Sequence, residues 1–260
     1  MLFLIVSFFS SIVGAICGIG GGVIIKPVLD MLGMGSATTI SFLSGCTVLS
    51  MSAYSVGKGM LAREKSVDMS TGTPLAIGAA LGGVAGKQLF SFLKSLFANP
   101  QTVGAVQAAA LAVITVLTLL YTLNKEKIST KQIKNPVLCA LIGLVLGVLS
   151  SFLGIGGGPI NLVVLYYFFS METKVAAANS LYIILFSQAA SLIATLVTRS
   201  VPEFAPMSLV LMVCGGIGGG ILGRVINKKI DSKAVEKLFV CLIGLIIFIS
   251  IYNTWNCLQG

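Results

Sequence analysis

The sequence predicts an all-α polytopic membrane protein of two inverted repeats, each a re-entrant or broken helical hairpin plus three transmembrane helices. Three observations carry that reading. Hydrophobic residues make up 56% of the chain and charged residues 10%, with a mean hydropathy of +1.02, whereas a soluble domain carries about 25% charge. A glycine knot occurs twice, as Gly18-Ile19-Gly20-Gly21-Gly22 and as Gly154-Ile155-Gly156-Gly157-Gly158. Lys and Arg collect on one face of the membrane only if each knot is a turn rather than part of a crossing.

The elements follow in order. Leu2 to Ile16 is apolar but makes only roughly 22 Å of helix. After the first knot, Val23 to Gly33 is shorter still. Neither piece crosses a hydrocarbon core of about 30 Å. Four glycines in five residues do not belong in a helix interior, where each costs roughly 1 kcal/mol against Ala. A hairpin that enters, turns at Gly18–Gly22 and leaves on the same face fits both facts. Ala37 to Gly57 then spans, followed by a polar loop with Lys58, Arg63, Glu64, Lys65 and Asp68. Thr71 to Phe92 spans with Gly78, Gly82 and Gly86 in a close-packing stripe, closed by Lys94 and Asn99-Pro100. Thr102 to Leu123 spans again, and the lysine-rich stretch Asn124 to Asn135 separates repeat 1 (1–125) from repeat 2 (126–260).

The second half repeats the plan. Val137 to Leu153, the second knot and Pro159 to Phe169 form a second hairpin. Thr173 to Thr198, Pro206 to Ile226 and Val235 to Trp255 span, the middle one with Gly215, Gly219 and Gly223 in the same stripe. If the knots are instead parts of crossings, the chain has eight full transmembrane helices and parallel repeats. The basic residues then divide evenly, eight to each face. With hairpins they divide thirteen to three, Lys87, Lys94 and Arg199 being the minority. The positive-inside rule selects the hairpins, with both termini outside, in a multi-pass protein of the cell membrane. The first 25 residues hold no Lys or Arg, so no cleavable signal peptide is expected.

Each knot ends where a short helix begins, and helix N-termini attract anions. The expected substrate site is therefore Gly18, Gly20, Gly21 and Gly22 facing Gly154, Gly156, Gly157 and Gly158, with packing as the alternative use of the glycines. Lys26 is a cation inside a hairpin, with Asp30 one turn on, and serves either as ligand contact or gate or as a partner of Asp30. Leu162 stands at the matching place in the second half. Ser41, Ser44, Thr47, Asn179 and Ser180 open the spans after the knots, and Ser44 matches Ser180 at the knot-to-knot offset. Their side chains are candidate donors to oxyanion oxygens, with Asn161 and Gln188 beside them; helix–helix hydrogen bonding is the alternative.

Catalysis has little to stand on: the chain has no His and only eight carboxylates, mostly in loops. The six cysteines read as small buried hydrophobes. No metal and no cofactor is expected. The positive charge belongs to membrane orientation, so nucleic acid is not an expected partner; the lipid bilayer and a small anion are, and a homo-oligomer is left open.

The Gly-x-Gly-Gly-Gly knot with a proline five residues on, repeated in the second half, resembles the sulfite exporter TauE/SafE family, also called the 4-toluene sulfonate uptake permease family. Gly18 to Pro27 fits the first motif. Gly154 to Gly158 fits the second with a departure, because Pro159 follows at once and Val163 stands where Pro27 does. Ala178-Asn179-Ser180-Leu181 resembles the family's small polar motif, and Ser44-Gly45 is a looser match. The resemblance implies a secondary transporter for sulfite, an organosulfonate or another small organosulfur anion, and assigns no role to Lys26. A non-transporting membrane scaffold or assembly subunit is the competing reading. With Asp30 the only carboxylate near a hairpin, potential-driven efflux insensitive to Asp30→Asn is expected.

Overall fold

The computed structural model describes residues 1–62, 67–96, 100–155 and 157–259, with side-chain positions for all of these but 94, 96, 100–103 and 256–259. Arg63, Glu64, Lys65, Asn99 and Gly156 lie outside the described residues. The chain is all helix: α1 (Leu2–Cys17), α2 (Gly22–Met31), α3 (Ala37–Leu61), α4 (Met69–Leu96) and α5 (Pro100–Asn124), then a 3-10 turn, α6 (Pro136–Leu153), α7 (Pro159–Phe169), α8 (Thr173–Val197), α9 (Pro206–Lys229) and α10 (Ser232–Gln259). Seven described helices are long and apolar enough to cross a membrane, so the chain is a multi-pass membrane protein. Large apolar side chains such as Leu81, Phe248 and Trp255 face outward, as a hydrocarbon solvent requires.

Several spans run past the apolar stretches that announce them, because a helix goes on wherever its end is capped. Asp68 starts α4 ahead of Thr71: its carboxylate accepts from Ser70 N at 3.0 Å, Ser70 Oγ at 2.7 Å and Thr71 Oγ1 at 2.7 Å. Burial alone would raise the Asp68 carboxyl; hydrogen bonds from Ser70 and Thr71 outweigh it and hold the group below its ordinary 3.8. Asn135 accepts from Val137 N at 2.9 Å ahead of Pro136, capping α6.

In both hairpins the end of the second helix comes back beside the start of the first. Phe3 and Val6 at the start of α1 pack in one cluster with Leu29 and Met34, at and beyond the end of α2. At the second hairpin, Lys131 N and Ile133 N, just before α6, donate to Tyr167 O and Phe168 O at the end of α7. The 18 residues of α6 meet the length for a crossing, yet this pairing brings α7 back to where α6 began.

Glycine stripes set the helix directions. A Cβ at Gly215, Gly219 or Gly223 of α9 would strike Ser7, Phe8 O and Ile12 O in turn, so α9 and α1 run in the same direction. A Cβ at Gly78, Gly82 or Gly86 of α4 would strike Ala140 O, Leu144 O and Val148 O, so α4 and α6 also run together. In each case a hairpin arm lies in the groove of a span from the other half, close enough for Cα–H···O contacts. The cysteines divide: Cys17 and Cys139 are buried, whereas Cys214 and Cys241 are exposed on the outer helix surfaces. The expectation of small buried hydrophobes holds for Cys17 and Cys139, in part for the half-buried Cys46, and is corrected for Cys214 and Cys241, which lie on outward helix faces; the Cys257 side chain is outside the described residues.

Candidate functional site

The first glycine of each knot ends a helix. Gly18 (φ 75) and Gly154 (φ 65) adopt the left-handed cap conformation that glycine enters without penalty. Gly18 N donates to Gly14 O at 2.9 Å and Gly154 N to Ser151 O at 3.2 Å. A few residues on, the chain starts a new helix, at Gly22 and at Pro159. Pro159 has no N–H, so α7 offers one donor fewer than α2.

The two knots meet. A Cβ at Gly22 would run into Ile155 O of the other knot and lie 2.8 Å from Ser44 Oγ. Gly18 lies against Ala177 of α8, and Gly154 lies against Ser41 of α3, an equivalent pair of contacts across the two halves. Gly157 (φ 124) lies against Ile184, and Gly21 against Ser11. The described knot glycines are thus used for close approach of protein to protein. Gly20 (φ 72) supplies a further left-handed turn.

The polar candidates separate into two groups. Ser44 Oγ, Ser180 Oγ and Asn161 Oδ1 are buried with no hydrogen-bond partner, as is Ser11 Oγ against Gly21. Leaving such a group unpaired costs about 1–3 kcal/mol. The others are engaged. Ser41 Oγ donates to Ala37 O at 2.6 Å and Thr47 Oγ1 to Leu43 O at 2.8 Å, each within its own helix. Asn179 accepts from Asp68 N at 3.2 Å and donates to Val175 O at 2.9 Å, tying α8 to the start of α4. Gln188 faces Gly45 of α3. Lys26 stands apart from these, buried and donating to Gln107 Oε1 at 2.5 Å.

A cavity of about 800 Å³ opens beside the knots. Ala15 and Ala177, which flank Gly18, form part of its lining, as does Leu181 next to Ser180. Its polar wall carries Lys174, Arg224, Lys228 and Asn227, and among the described residues no carboxylate lines it. Arg224 Nη1 donates to Ser55 O at 2.6 Å, fixing α9 to the end of α3. Such a basic, low-dielectric cleft concentrates anions.

Side-chain amides hold both hairpin tips. Asn227 Nδ2 donates to Ile16 O and Gln107 Nε2 to Phe152 O, both at 2.6 Å. Ile16 and Phe152 each stand two residues before the first glycine of a knot, so equivalent carbonyls at two helix ends are capped from other helices. Sequence reasoning missed Ser11, Gln107, Asn227 and the role of Arg224. Ser11 had a faint signal, since a Ser-Ser pair precedes each knot at 10–11 and 150–151; the amides had none.

The family model described as sulfite exporter TauE/SafE matches residues 3–250. None of the curated proteins and none of the solved structures compared with the chain matches it. With the match running from the start of α1 into α10 and over both knots, the chain belongs to the sulfite exporter TauE/SafE family of membrane transporters.

Proposed function

We propose that this chain is a secondary transporter that moves sulfite or a small organosulfonate out of the cell. Repeat 1 (1–125) and repeat 2 (126–260) are inverted in this reading. A hairpin that turns back, followed by three spans, leaves the chain on the other face, so α6 enters opposite to α1. The pairing of α1 with α9 and of α6 with α4 agrees with it. The basic cavity faces the cytoplasm and both termini lie outside, by the charge bias of the loops. The anion collects at Lys174, Arg224 and Lys228 and passes to the knots. There the first-turn N–H groups of α2, Ser44, Ser180 and Asn161 receive it, while Thr47 and Asn179 hold the helices that present them.

The observation that carries this reading is the pairing of the two features. A cavity whose described lining carries Lys174, Arg224 and Lys228 and no carboxylate ends beside a crossing of glycine turns, with the unpartnered Ser44 and Ser11 hydroxyls against Gly22 and Gly21. A scaffold would use the glycine packing equally well but has no use for that cavity. An anion leaving a cell that is negative inside gains about 2.3 kcal/mol per charge at about 100 mV, so export needs no coupling ion.

Sulfite efflux from proteoliposomes, with the potential clamped by potassium and valinomycin, tests the proposal. The expected result is efflux that rises with an outward-driving potential at fixed pH. Absence of flux for sulfite, thiosulfate, sulfoacetate and taurine alike would favour the scaffold. Flux that ignores the potential and follows an imposed pH gradient would replace uncoupled efflux with proton coupling.

A further inference from the structure

On the face opposite the basic cavity, α2, the start of α5 and the end of α10 enclose a second polar cluster. Its void is only about 10 Å³, room for about one water. Lys26, Asp30, Gln107, Ser250 and Asn253 line it, together with Leu153 at the edge of the second knot. Lys26 is 4% exposed and is the one charged side chain among the buried described residues. Burying a charge in a membrane protein is costly, and such residues mark ion paths. The fold does not require it, because Leu162 fills the equivalent place in the other hairpin and is equally buried.

Two further observations point to a ligand rather than to packing. Ser250 Oγ lines the same void, 1% exposed and without a partner. The amide that grips Lys26 is also the one that grips the second hairpin: Gln107 Oε1 accepts from Lys26 Nζ while its Nε2 donates to Phe152 O. One side chain therefore joins the ammonium to the tip of the opposite repeat.

We propose that Lys26 and Ser250 form a second anion station, reached after the knots, and that Gln107 is the latch that keeps it shut. The station rests on the transport reading above and adds a site to it. With the cavity open on the basic face, Gln107 clamps the Lys26 ammonium to the second hairpin and the void admits nothing larger than water. When the hairpins shift, Phe152 O leaves Gln107, the void widens, and the ammonium and the Ser250 hydroxyl receive the anion. Asp30 lines the outer edge of the same void and gives the ammonium a counter-charge once the anion has gone.

Lys26→Met, close to isosteric, separates a station from a structural ion. A purely structural Lys26 would give a Lys26→Met variant that melts lower, because Gln107 Oε1 loses its donor and Asp30 its counter-charge, while the protein that remains folded moves sulfite at the wild-type rate. For a station, sulfite efflux per folded protein falls by roughly tenfold or more whatever the melting shift, the loss of one charge-assisted contact, and Lys26→Arg restores part of it. In a cysteine-free background, Ser250→Cys should react with a membrane-impermeant thiol reagent from the side bearing Lys87 and Arg199, and sulfite should slow that reaction. Wild-type efflux with an equally fast Lys26→Met, or a Ser250→Cys reactive only from the cavity side, overturns the station alone. A wild type that moves no sulfite overturns the transport reading and the station with it.

Discussion

Ile16 and Phe152 occupy equivalent places before the two knots, and their carbonyls have opposite surroundings. Ile16 O is held by Asn227 at the wall of a cavity of about 800 Å³ rimmed with cations. Phe152 O is held by Gln107 in a sealed cluster with a void of about 10 Å³ and one buried lysine. The same backbone device, a helix end capped by an amide from another helix, thus serves an open face and a closed one. The neighbours decide which tip meets water, and a repeated motif does not mean a repeated environment.

The largest expected effect tests the crossing itself. Gly22 and Gly158 are equivalent in the motif, yet a Cβ at Gly22 meets the Ile155 carbonyl whereas one at Gly158 meets only Ile155 Cδ1 at 3.2 Å. Gly22→Ala should cost about 3 kcal/mol or more, since a backbone carbonyl cannot step aside as a side-chain end can. Gly158 is extended, with φ −169, so Gly158→Ala should cost within about 0.5 kcal/mol. Thermal unfolding in detergent measures both, and equal losses would mean that the knots do not cross as described.

The amides come next. Gln107→Leu leaves Phe152 O and the Lys26 ammonium without their amide, a loss of about 3 kcal/mol in a buried site. Asn227→Leu frees Ile16 O beside the cavity, where water replaces the bond at a cost nearer about 1 kcal/mol. The ratio of the two melting shifts sharpens the contrast between sealed and open faces; a reversed order would contradict it.

The smallest effect lies at the cavity's rim. Asp68→Ala should destabilise by about 1 kcal/mol, the usual worth of an N-cap. The Asp68 carboxyl titrates below its ordinary 3.8 in the folded chain, so its contribution is present above the unfolded value and lost as pH falls through the folded one. A pH series of melting temperatures should show wild type and Asp68→Ala converging in acid. A constant gap would show that the carboxylate's charge plays no part in the cap.

The all-helical membrane architecture, the helix breaks at the two knots and the meeting of the knots were legible because each rests on local pattern. Apolar length, a glycine cluster and the offset between copies are all visible along the chain. Ser44 and Ser180 stood out in the sequence as matched positions, and both hydroxyls are buried without a partner. Thr47 was read as a donor to a ligand, yet it bonds the carbonyl four residues back in its own helix, the usual competitor for a helical hydroxyl. Asn179 accepts from Asp68 N, the helix–helix hydrogen bonding that was the alternative use of these side chains.

Composition and spacing alone determined that the chain lives in a membrane and that it turns sharply at Gly18 and Gly154. Those properties come from transfer free energy and backbone sterics, which act residue by residue. Only the tertiary structure decided that Lys26 meets Gln107 across 81 residues, that Gln107 reaches Phe152 across 45, and that Asn227 reaches Ile16 across 211. Hydrogen bonds of that kind depend on which helix lies in which groove. The glycine stripes of α4 and α9 set that choice by admitting an arm from the other half, a pairing that no local window contains.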